Sequence, residues 1–291
     1  MRSSLNYNSL KTIRERYDEL KKAEPRLRAR DAAEKLCCTE AELIAAGCGV
    51  EWVWHLDASS LMKWLPLVAE LPGWMWLLRN DAAVLEKDAV GTRLVSSNGH
   101  HRFEGNGFCV ELENSEIGYV FYASFSDRLP RVLQIFDHKG NAVLKLYLKN
   151  KGVAEKADAT IRLFKEDAPE HLDVVEGFSA GDATDLSDAR ELPVGSYGDL
   201  IQWAADSGES IALTARNNGG EMRVFLVPER IKLMPDWFNI LDRGFNLHLM
   251  EPLISRAACT GLNGRFDARY FKDNGTELLS INMPSESLAT L

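Results

Sequence analysis

Few side chains in this sequence carry the chemistry of catalysis or metal binding, and the six histidines are the first to consider. His100 and His101 are adjacent, so on a strand they would face opposite sides and could not bind one metal together. His248 lies in an apolar, strand-like run, where a hydrogen-bonded core histidine is the simplest interpretation. His171 lies in a polar segment after Pro169, and it is the histidine with the greatest freedom to reach a large ligand.

A second chemical pattern is Gly177-Phe-Ser179-Ala-Gly181, which fits the G-x-S-x-G nucleophile elbow of serine hydrolases. That chemistry needs a helix directly after the serine. Residues 182–188 are instead polar and acidic, with no apolar helical face. We therefore interpret the pattern as a linker turn and keep a serine hydrolase that uses Ser179 as a minor hypothesis.

Residues 29–47 resemble the two short helices of a helix-turn-helix, in which the second helix reads DNA. A reading helix favours Arg, Lys, Asn or Gln at its start, whereas this one begins Thr39-Glu40-Ala41-Glu42, which would repel phosphates. The whole chain has 34 basic and 43 acidic residues, a net charge of −9. Both observations argue against nucleic acid as a partner and favour a helical layer on a sheet.

Composition indicates the class of protein that must position these residues. Hydrophobic residues make up 45% and charged residues 26% of the 291, as in ordinary globular domains. No apolar run is long enough for a signal peptide or a membrane span, and the five cysteines form no C-x-x-C pair. These features predict a cytoplasmic protein with reduced thiols and with one large domain or two.

Two periodicities follow one another along the chain. Apolar residues at helical spacing predict helices at 9–23, 29–36, 39–47 and 61–71, and Thr39 with Glu42 forms a capping box at the start of the third. Runs rich in Val, Phe, Tyr and Trp then predict strands at 74–78, 83–87, 92–96, 108–112, 119–125, 132–136 and 143–148. Helices followed by a strand meander predict an α+β domain with helices packed on an antiparallel sheet.

An internal repeat organises the rest of the chain. Arg79-Asn80 corresponds to Arg216-Asn217, residues 107–112 correspond to 244–249, and residues 136–144 correspond to 271–279. Three matches in the same order and at nearly constant offset are unlikely by chance. We expect a tandem duplication, each half a large antiparallel sheet with helices packed on it. The predicted boundaries are an N-terminal repeat with a helical preface at 1–150, an acidic linker at 151–194 and a shortened C-terminal repeat at 195–291.

Three stretches carry a resemblance to a known family, namely RVLQIFDHKGNAVLKLYL, WLLRNDAAVLE and especially PDWFNILDRGFNLHLME. They are similar to the HemS/ChuS-type cytoplasmic hemin transport and degradation factors of Gram-negative bacteria. The resemblance covers most of the chain apart from the linker and implies two similar α+β halves. It also implies one bound heme, with a histidine on the iron and basic residues near the propionates. Some members pass heme on, and others open the porphyrin ring oxidatively.

The resemblance also directs the choice of heme-binding residues. We predict His171, or else Tyr119, as the ligand of the heme iron, and Arg216 and Lys232 as contacts of the propionates. The sequence departs from the family where its chemistry lies. Leu85 stands at the histidine of the family's N-terminal motif, Tyr119 aligns with its sheet arginine, and the helical stretch with its iron-binding histidine is mostly missing.

The leading hypothesis is a cytoplasmic protein that binds heme, or a related tetrapyrrole, for intracellular transfer or breakdown in iron acquisition. A protein partner for heme hand-over would follow from the transfer role, and oxidative degradation is left open. The alternative is a non-enzymatic scaffold or regulatory binding protein of the same fold that has lost heme binding. The departures from the family favour this alternative, whereas the retained length and repeat are compatible with either hypothesis.

Overall fold

The computed structural model describes residues 9–97, 100–124, 130–175, 188–262 and 264–290. The chain forms two compact units: unit 1 comprises Met1–Leu71 and Asn114–Gly177, and unit 2 comprises Pro72–Glu113 and Phe178–Leu291. The helices are α1 (Leu10–Ala23), α2 (Ala29–Leu36), α3 (Glu40–Ala45), α4 (Leu61–Ala69), α5 (Ala154–Arg162) and α6 (Ser196–Ser207).

The strands of the first half of the chain are β1 (Trp52–Leu56), β2 (Trp74–Arg79), β3 (Ala83–Asp88), β4 (Arg93–Ser97), β5 (His100–Gly105), β6 (Phe108–Leu112), β7 (Ile117–Ser124), β8 (Arg131–Asp137) and β9 (Ala142–Leu148). Those of the second half are β10 (Arg190–Leu192), β11 (Ile211–Asn217), β12 (Gly220–Leu226), β13 (Ile231–Met234), β14 (Trp237–Asp242), β15 (Phe245–Met250), β16 (Arg256–Leu262), β17 (Arg265–Phe271) and β18 (Glu277–Pro284). None of the helices in the described ranges is long and apolar enough to cross a membrane.

Unit 1 is a layer of helices on an antiparallel sheet. Strands pair in the order β1-β7-β8-β9, and α1, α2 and α3 cover one face of them through a buried apolar cluster. Helix α3 begins at the predicted capping box: Thr39 Oγ1 accepts from the Glu42 amide at 3.1 Å, and Glu42 Oε2 accepts from the Thr39 amide at 2.8 Å. The box satisfies two amide groups that the helix itself leaves without partners.

Two hairpin glycines that occupy equivalent positions in the repeat test how tightly this helical layer is packed. Gly140 and Gly275 both have positive φ, +78° and +83°, but a Cβ on Gly140 would lie 2.4 Å from Thr39 Oγ1, whereas one on Gly275 would meet nothing within 4 Å. Gly275→Ala is expected to cost about 1 kcal/mol in backbone strain. Gly140→Ala is expected to cost about 3 kcal/mol, because overpacking adds to that strain. Urea unfolding checks both, and equal losses would contradict the close packing.

Helix α5 packs on the opposite face of the unit 1 sheet. It lies within residues 151–194, which the sequence predicts to be a linker. Tyr122 Oη donates to Asp158 Oδ1 at 2.8 Å, and Arg131 donates to both oxygens of that carboxylate at 3.2 and 3.1 Å. The Arg131 guanidinium also lies over the Trp52 ring, 4.6 Å from its centroid. This network fixes α5 to β7 and β8, a position that the polar composition of the segment does not reveal.

Unit 2 is a sandwich of two antiparallel sheets. One has the order β2-β3-β15-β14-β13, and the other has the order β10-β16-β17-β18-β11-β12-β6-β5-β4. Trp76 of β2 is fully buried, and its ring contacts Phe103 and Phe108 of the other sheet, with centroids 5.3 and 5.8 Å apart. The two inner faces therefore share one core, as expected for sheets packed face to face. Helix α6 adds Tyr197, which meets Phe238 and Tyr270 edge-on.

The two sequence repeats are joined strand to strand within unit 2. Strand β3 pairs with β15, and β6 pairs with β12. At the ends of β2 and β11, Asn80 Nδ2 donates to the Arg216 carbonyl at 3.1 Å, and Asn217 Nδ2 donates to the Arg79 carbonyl at 3.0 Å. The two Arg-Asn dipeptides aligned in the sequence thus bind each other reciprocally.

The predicted fold class, α+β with large antiparallel sheets and packed helices, is confirmed. Every predicted helix and strand is present, although β1, β5, α5 and β10 were not predicted as elements and β11 to β18 were not predicted one by one. The boundaries 1–150, 151–194 and 195–291 divide the chain into two sequence repeats and a linker, and this division stays a prediction. The compact units follow a different division, because residues 72–113 belong to unit 2.

All five cysteines are free thiols, and their surroundings differ. Cys37 is exposed, whereas burial raises the pKa of the neighbouring Cys38 thiol to about 12 and that of Cys48 to about 11. Since the thiolate is the reactive form, iodoacetamide at pH 8 is expected to alkylate Cys37 at least about tenfold faster than Cys38 or Cys48. Peptide mass spectrometry over a time course measures the three rates, and equal rates would contradict the burial of the two thiols.

Candidate functional site

The four residues predicted as one binding site lie in different units. His171 and Tyr119 are in unit 1, and Arg216 and Lys232 are in unit 2. Each pair is therefore considered within its own unit. The G-x-S-x-G pattern with Ser179 lies outside the described residues.

His171 lies in an extended segment after α5. Its side chain is 72% exposed, and Nε2 lies 3.3 Å from a carboxylate oxygen of Asp173. Leu172 packs against the helix cluster of unit 1, and the Val175 amide donates to the His138 carbonyl at 2.9 Å. The segment is thus attached to unit 1 on both sides of Asp173, and the imidazole itself is accessible to solvent.

Tyr119 lies on β7 and packs, half-buried, against the same helix cluster. Burial is the main cause that raises the pKa of its hydroxyl, and the carboxylates of Asp173, Glu42 and Asp137 raise it further. Asp173 is thus close to both Tyr119 and His171, so the structure brings these two predicted ligands into one region. The same carboxylates would attract a ferric ion and would repel anionic groups around it.

Arg216 of β11 is engaged in ion pairs. Its guanidinium donates to Glu221 Oε2, and to Glu277 Oε1 at 2.8 Å. Burial alone would lower the pKa of Arg216, but the two carboxylates outweigh it and raise that pKa. An anionic ligand would have to displace Glu221 or Glu277 to reach the guanidinium, so Arg216 is suited to holding β11, β12 and β18 together.

Lys232 of β13 is exposed and belongs to a row of side chains that crosses β13, β14, β15 and β3. It lies opposite Asn239 of β14, which lies opposite His248 of β15, which lies opposite Val84 of β3. Directly opposed residues share one face of a sheet, so these side chains project to the same side. Lys232 and His248 are two strand spacings apart, about 10 Å.

We call this outer surface the His248 face. Its apolar members are Val84, Met234, Trp237, Leu241 and Met250, and its polar members are Lys232, Asn239, Asn246, His248 and Glu86. Trp237 and Met250 are half-buried and Met234 is 50% exposed. The face therefore combines apolar and polar side chains, with an imidazole near its middle and an ammonium group to one side.

The imidazole of His248 is held by a single well-defined contact. Its Nδ1 lies 2.7 Å from Asn239 Oδ1, and Asn239 is itself 97% buried. The ring nitrogen Nε2 makes no hydrogen bond to any residue in the described ranges. Since Nε2 is the ring nitrogen farther from the backbone, it projects away from the sheet. Such a nitrogen can bind a metal centre, since the neutral imidazole of histidine is the commonest metal ligand in proteins.

Reasoning from the sequence missed the His248 face. His248 is hydrogen-bonded, as predicted, but it is half-buried on the outer face and not in the core. A signal was present in the alternation of the strand: Phe245, Leu247 and Leu249 occupy one phase, and His248 occupies the other. In a strand with a two-residue period, that phase places the histidine on the side away from the apolar core.

Comparison with known proteins supports the architecture just described. Residues 37–164 match the family model described as the haemin-degrading HemS.ChuX domain. PhuS, a heme-binding protein from Pseudomonas aeruginosa, is 23% identical, with a TM-score of 0.84 over 94% of this chain and 93% of PhuS. The heme-degrading enzyme ChuS of Escherichia coli O157:H7 is 20% identical, with a TM-score of 0.84 over 97% of this chain and 99% of ChuS. No curated protein sequence matches this chain significantly.

The structural likenesses extend over nearly the whole length of PhuS and ChuS, so they establish a common fold. The family match covers α3, α4, the strands β1 to β9 and all of α5. Residues 37–164 are therefore similar to the HemS.ChuX domain, and the chain as a whole has the fold of PhuS and ChuS.

Proposed function

We propose that this protein binds heme on the His248 face of unit 2 for transfer within the cell. The observation that carries the proposal is the His248 imidazole, whose Nδ1 is hydrogen-bonded to Asn239 and whose Nε2 projects from a face that also presents Trp237, Leu241 and Met250. A histidine imidazole is a common axial ligand of heme iron. The proposal agrees with the PhuS and ChuS names, which describe a heme-binding protein and a heme-degrading enzyme.

The residues of the His248 face fit the chemical parts of heme. Trp237, Leu241 and Met250 supply the apolar surface against which a planar macrocycle packs. Lys232 lies about 10 Å from His248 in the same row, where an ammonium can pair with a propionate at the edge of the macrocycle. Bound heme would supply an iron centre whose oxygen chemistry depends on its axial ligand and on the polarity around it.

Each of these residues has a separate task in binding. His248 would hold heme through its iron, and Lys232 would orient the macrocycle by pairing with a propionate. Trp237 and Met250 lie opposite each other on neighbouring strands and would exclude water from the bound macrocycle. None of these tasks requires turnover, so the face is suited to carrying heme and releasing it to another protein. Such an acceptor protein is part of the proposal.

The residues predicted from the sequence remain separate proposals, His171 and Tyr119 within unit 1 and Arg216 and Lys232 within unit 2. His171 would bind the iron from an exposed segment, with Tyr119 as the alternative ligand. Arg216 would bind a propionate only after releasing Glu221 or Glu277. Lys232 also belongs to the proposal for the His248 face. We place the function in the cytoplasm, since free thiols such as those of all five cysteines are typical of a reducing compartment.

A hemin titration tests the proposed function. Purified protein is titrated with hemin, and the Soret band is followed by absorption spectroscopy. A saturable band at one heme per chain is the expected result. Ascorbate is then added in the presence of catalase: a stable band supports carriage, and loss of the band indicates ring breakdown. No saturable binding at micromolar hemin would refute the proposal and leave the scaffold hypothesis.

A further inference from the structure

The amide orientation of Asn239 can be read from its own contacts. Its Nδ2 lies 3.1 Å from the Lys232 carbonyl and 3.4 Å from the Trp237 carbonyl. Carbonyl oxygens only accept hydrogen bonds, so the atom that faces them must be the amide nitrogen. The other amide atom, which faces His248, is therefore the oxygen.

This orientation determines which nitrogen of His248 carries the proton. Asn239 Oδ1 can only accept, and it lies 2.7 Å from His248 Nδ1, so Nδ1 must donate. A neutral imidazole has one N–H, and its second nitrogen then holds a lone pair. In neutral His248 that nitrogen is Nε2, which makes no hydrogen bond within the described ranges.

We propose that Asn239 is a positioning residue that holds His248 in the Nδ1–H tautomer and thereby presents the Nε2 lone pair to an incoming iron. The proposal rests on the proposed function and extends it from the ligand to the residue behind it. Partners of this kind fix the tautomer and ring orientation of metal-binding histidines and make them more basic. Asn239 is itself fixed, because it is buried and two backbone carbonyls of its own hairpin hold its amide.

Two substitutions distinguish the effect of the hydrogen-bond acceptor of Asn239 from the effect of its side-chain volume. Asn239→Leu keeps a similar volume and removes the acceptor. Asn239→Asp keeps an oxygen that faces His248 and removes the amide N–H groups. If Asn239 acts through His248, the aspartate variant retains the Nδ1–H tautomer and the leucine variant loses it. A purely structural role would not produce this difference.

The tautomer is measured first, on hemin-free protein labelled with ¹⁵N. Long-range ¹H–¹⁵N spectra distinguish Nδ1–H from Nε2–H imidazoles, and the His248 signals are identified by their absence in His248→Ala. We expect Nδ1–H in the wild type and in Asn239→Asp, and predominantly Nε2–H in Asn239→Leu. An Nε2–H ring in the wild type, or an unchanged tautomer in Asn239→Leu, would overturn the proposal.

Hemin affinity is measured second. Asn239→Leu is expected to weaken hemin binding about 10- to 100-fold, as when a hydrogen-bond partner behind a metal-binding histidine is lost, and Asn239→Asp is expected to stay within about tenfold of the wild type. Wild-type affinity in Asn239→Leu, with the tautomer changed, would overturn the positioning role. If the wild type binds no hemin, the proposed function fails, and the tautomer spectra still decide whether Asn239 holds the ring.

Discussion

His248→Ala is expected to weaken hemin binding by about 100-fold or more, because it removes the imidazole that would hold the iron. The Soret band of the remaining complex should shift toward that of free hemin. Added imidazole should restore the wild-type band, since a small ligand can occupy the space left by the ring. The free energy of unfolding should fall by about 1–3 kcal/mol, because the buried Asn239 Oδ1 loses its hydrogen-bond donor.

His171→Ala is the matched control, since it removes an imidazole from unit 1. The His171 side chain is 72% exposed, so its removal should leave both the free energy of unfolding and the hemin affinity near the wild-type values. The opposite pattern, loss of binding in His171→Ala and normal binding in His248→Ala, would transfer the iron to the residue predicted from the sequence. Normal hemin binding in both variants would exclude both histidines as required ligands.

Trp76→Ala is expected to destabilise the protein by about 4 kcal/mol, within the range observed when a buried tryptophan is truncated. The indole is fully buried between the sheets of unit 2 and contacts Phe103 and Phe108. Its Nε1 has no hydrogen-bond partner among the described residues, so the loss is one of packing. Urea unfolding followed by circular dichroism measures the change in the free energy of unfolding.

Trp237→Ala provides a control of the same chemical type on the other side of the same sheet. Trp237 lies on the His248 face and is half-buried, so its truncation should cost less than about 1.5 kcal/mol. It should instead weaken hemin binding about tenfold, because an aromatic surface against the macrocycle is lost. Similar stability losses in the two tryptophan variants would contradict the sandwich arrangement.

Local patterns were sufficient to predict most of the fold. The spacing of Leu10, Ile13 and Tyr17 marks α1, and Thr39 with Glu42 marks the start of α3, because these signals act within one or two turns of helix. Helix α5 was missed because the residues that bind its Asp158, Tyr122 and Arg131, are far away in the sequence. No window along the chain contains that information.

The candidate site was harder to predict, because its residues come from separate strands. Lys232 was chosen from the sequence, but its relation to His248 depends on the register of three strands. Asn239 is one of many asparagines until that register places it beside His248. Arg216 was chosen for its charge, and only the structure reveals that Glu221 and Glu277 already neutralise it.

The pairing of β3 with β15 and of β6 with β12 has a consequence for synthesis on the ribosome. Residues 72–113 leave the exit tunnel early, yet their partner strands end at residues 226 and 250. Until those residues emerge, two strands rich in apolar side chains have no partners along one edge. Open edges of this kind invite pairing with other chains. The nascent polypeptide is therefore most prone to aggregation after residues 72–113 have emerged and before residue 250 has emerged. A chaperone that binds extended apolar segments would protect it during this interval.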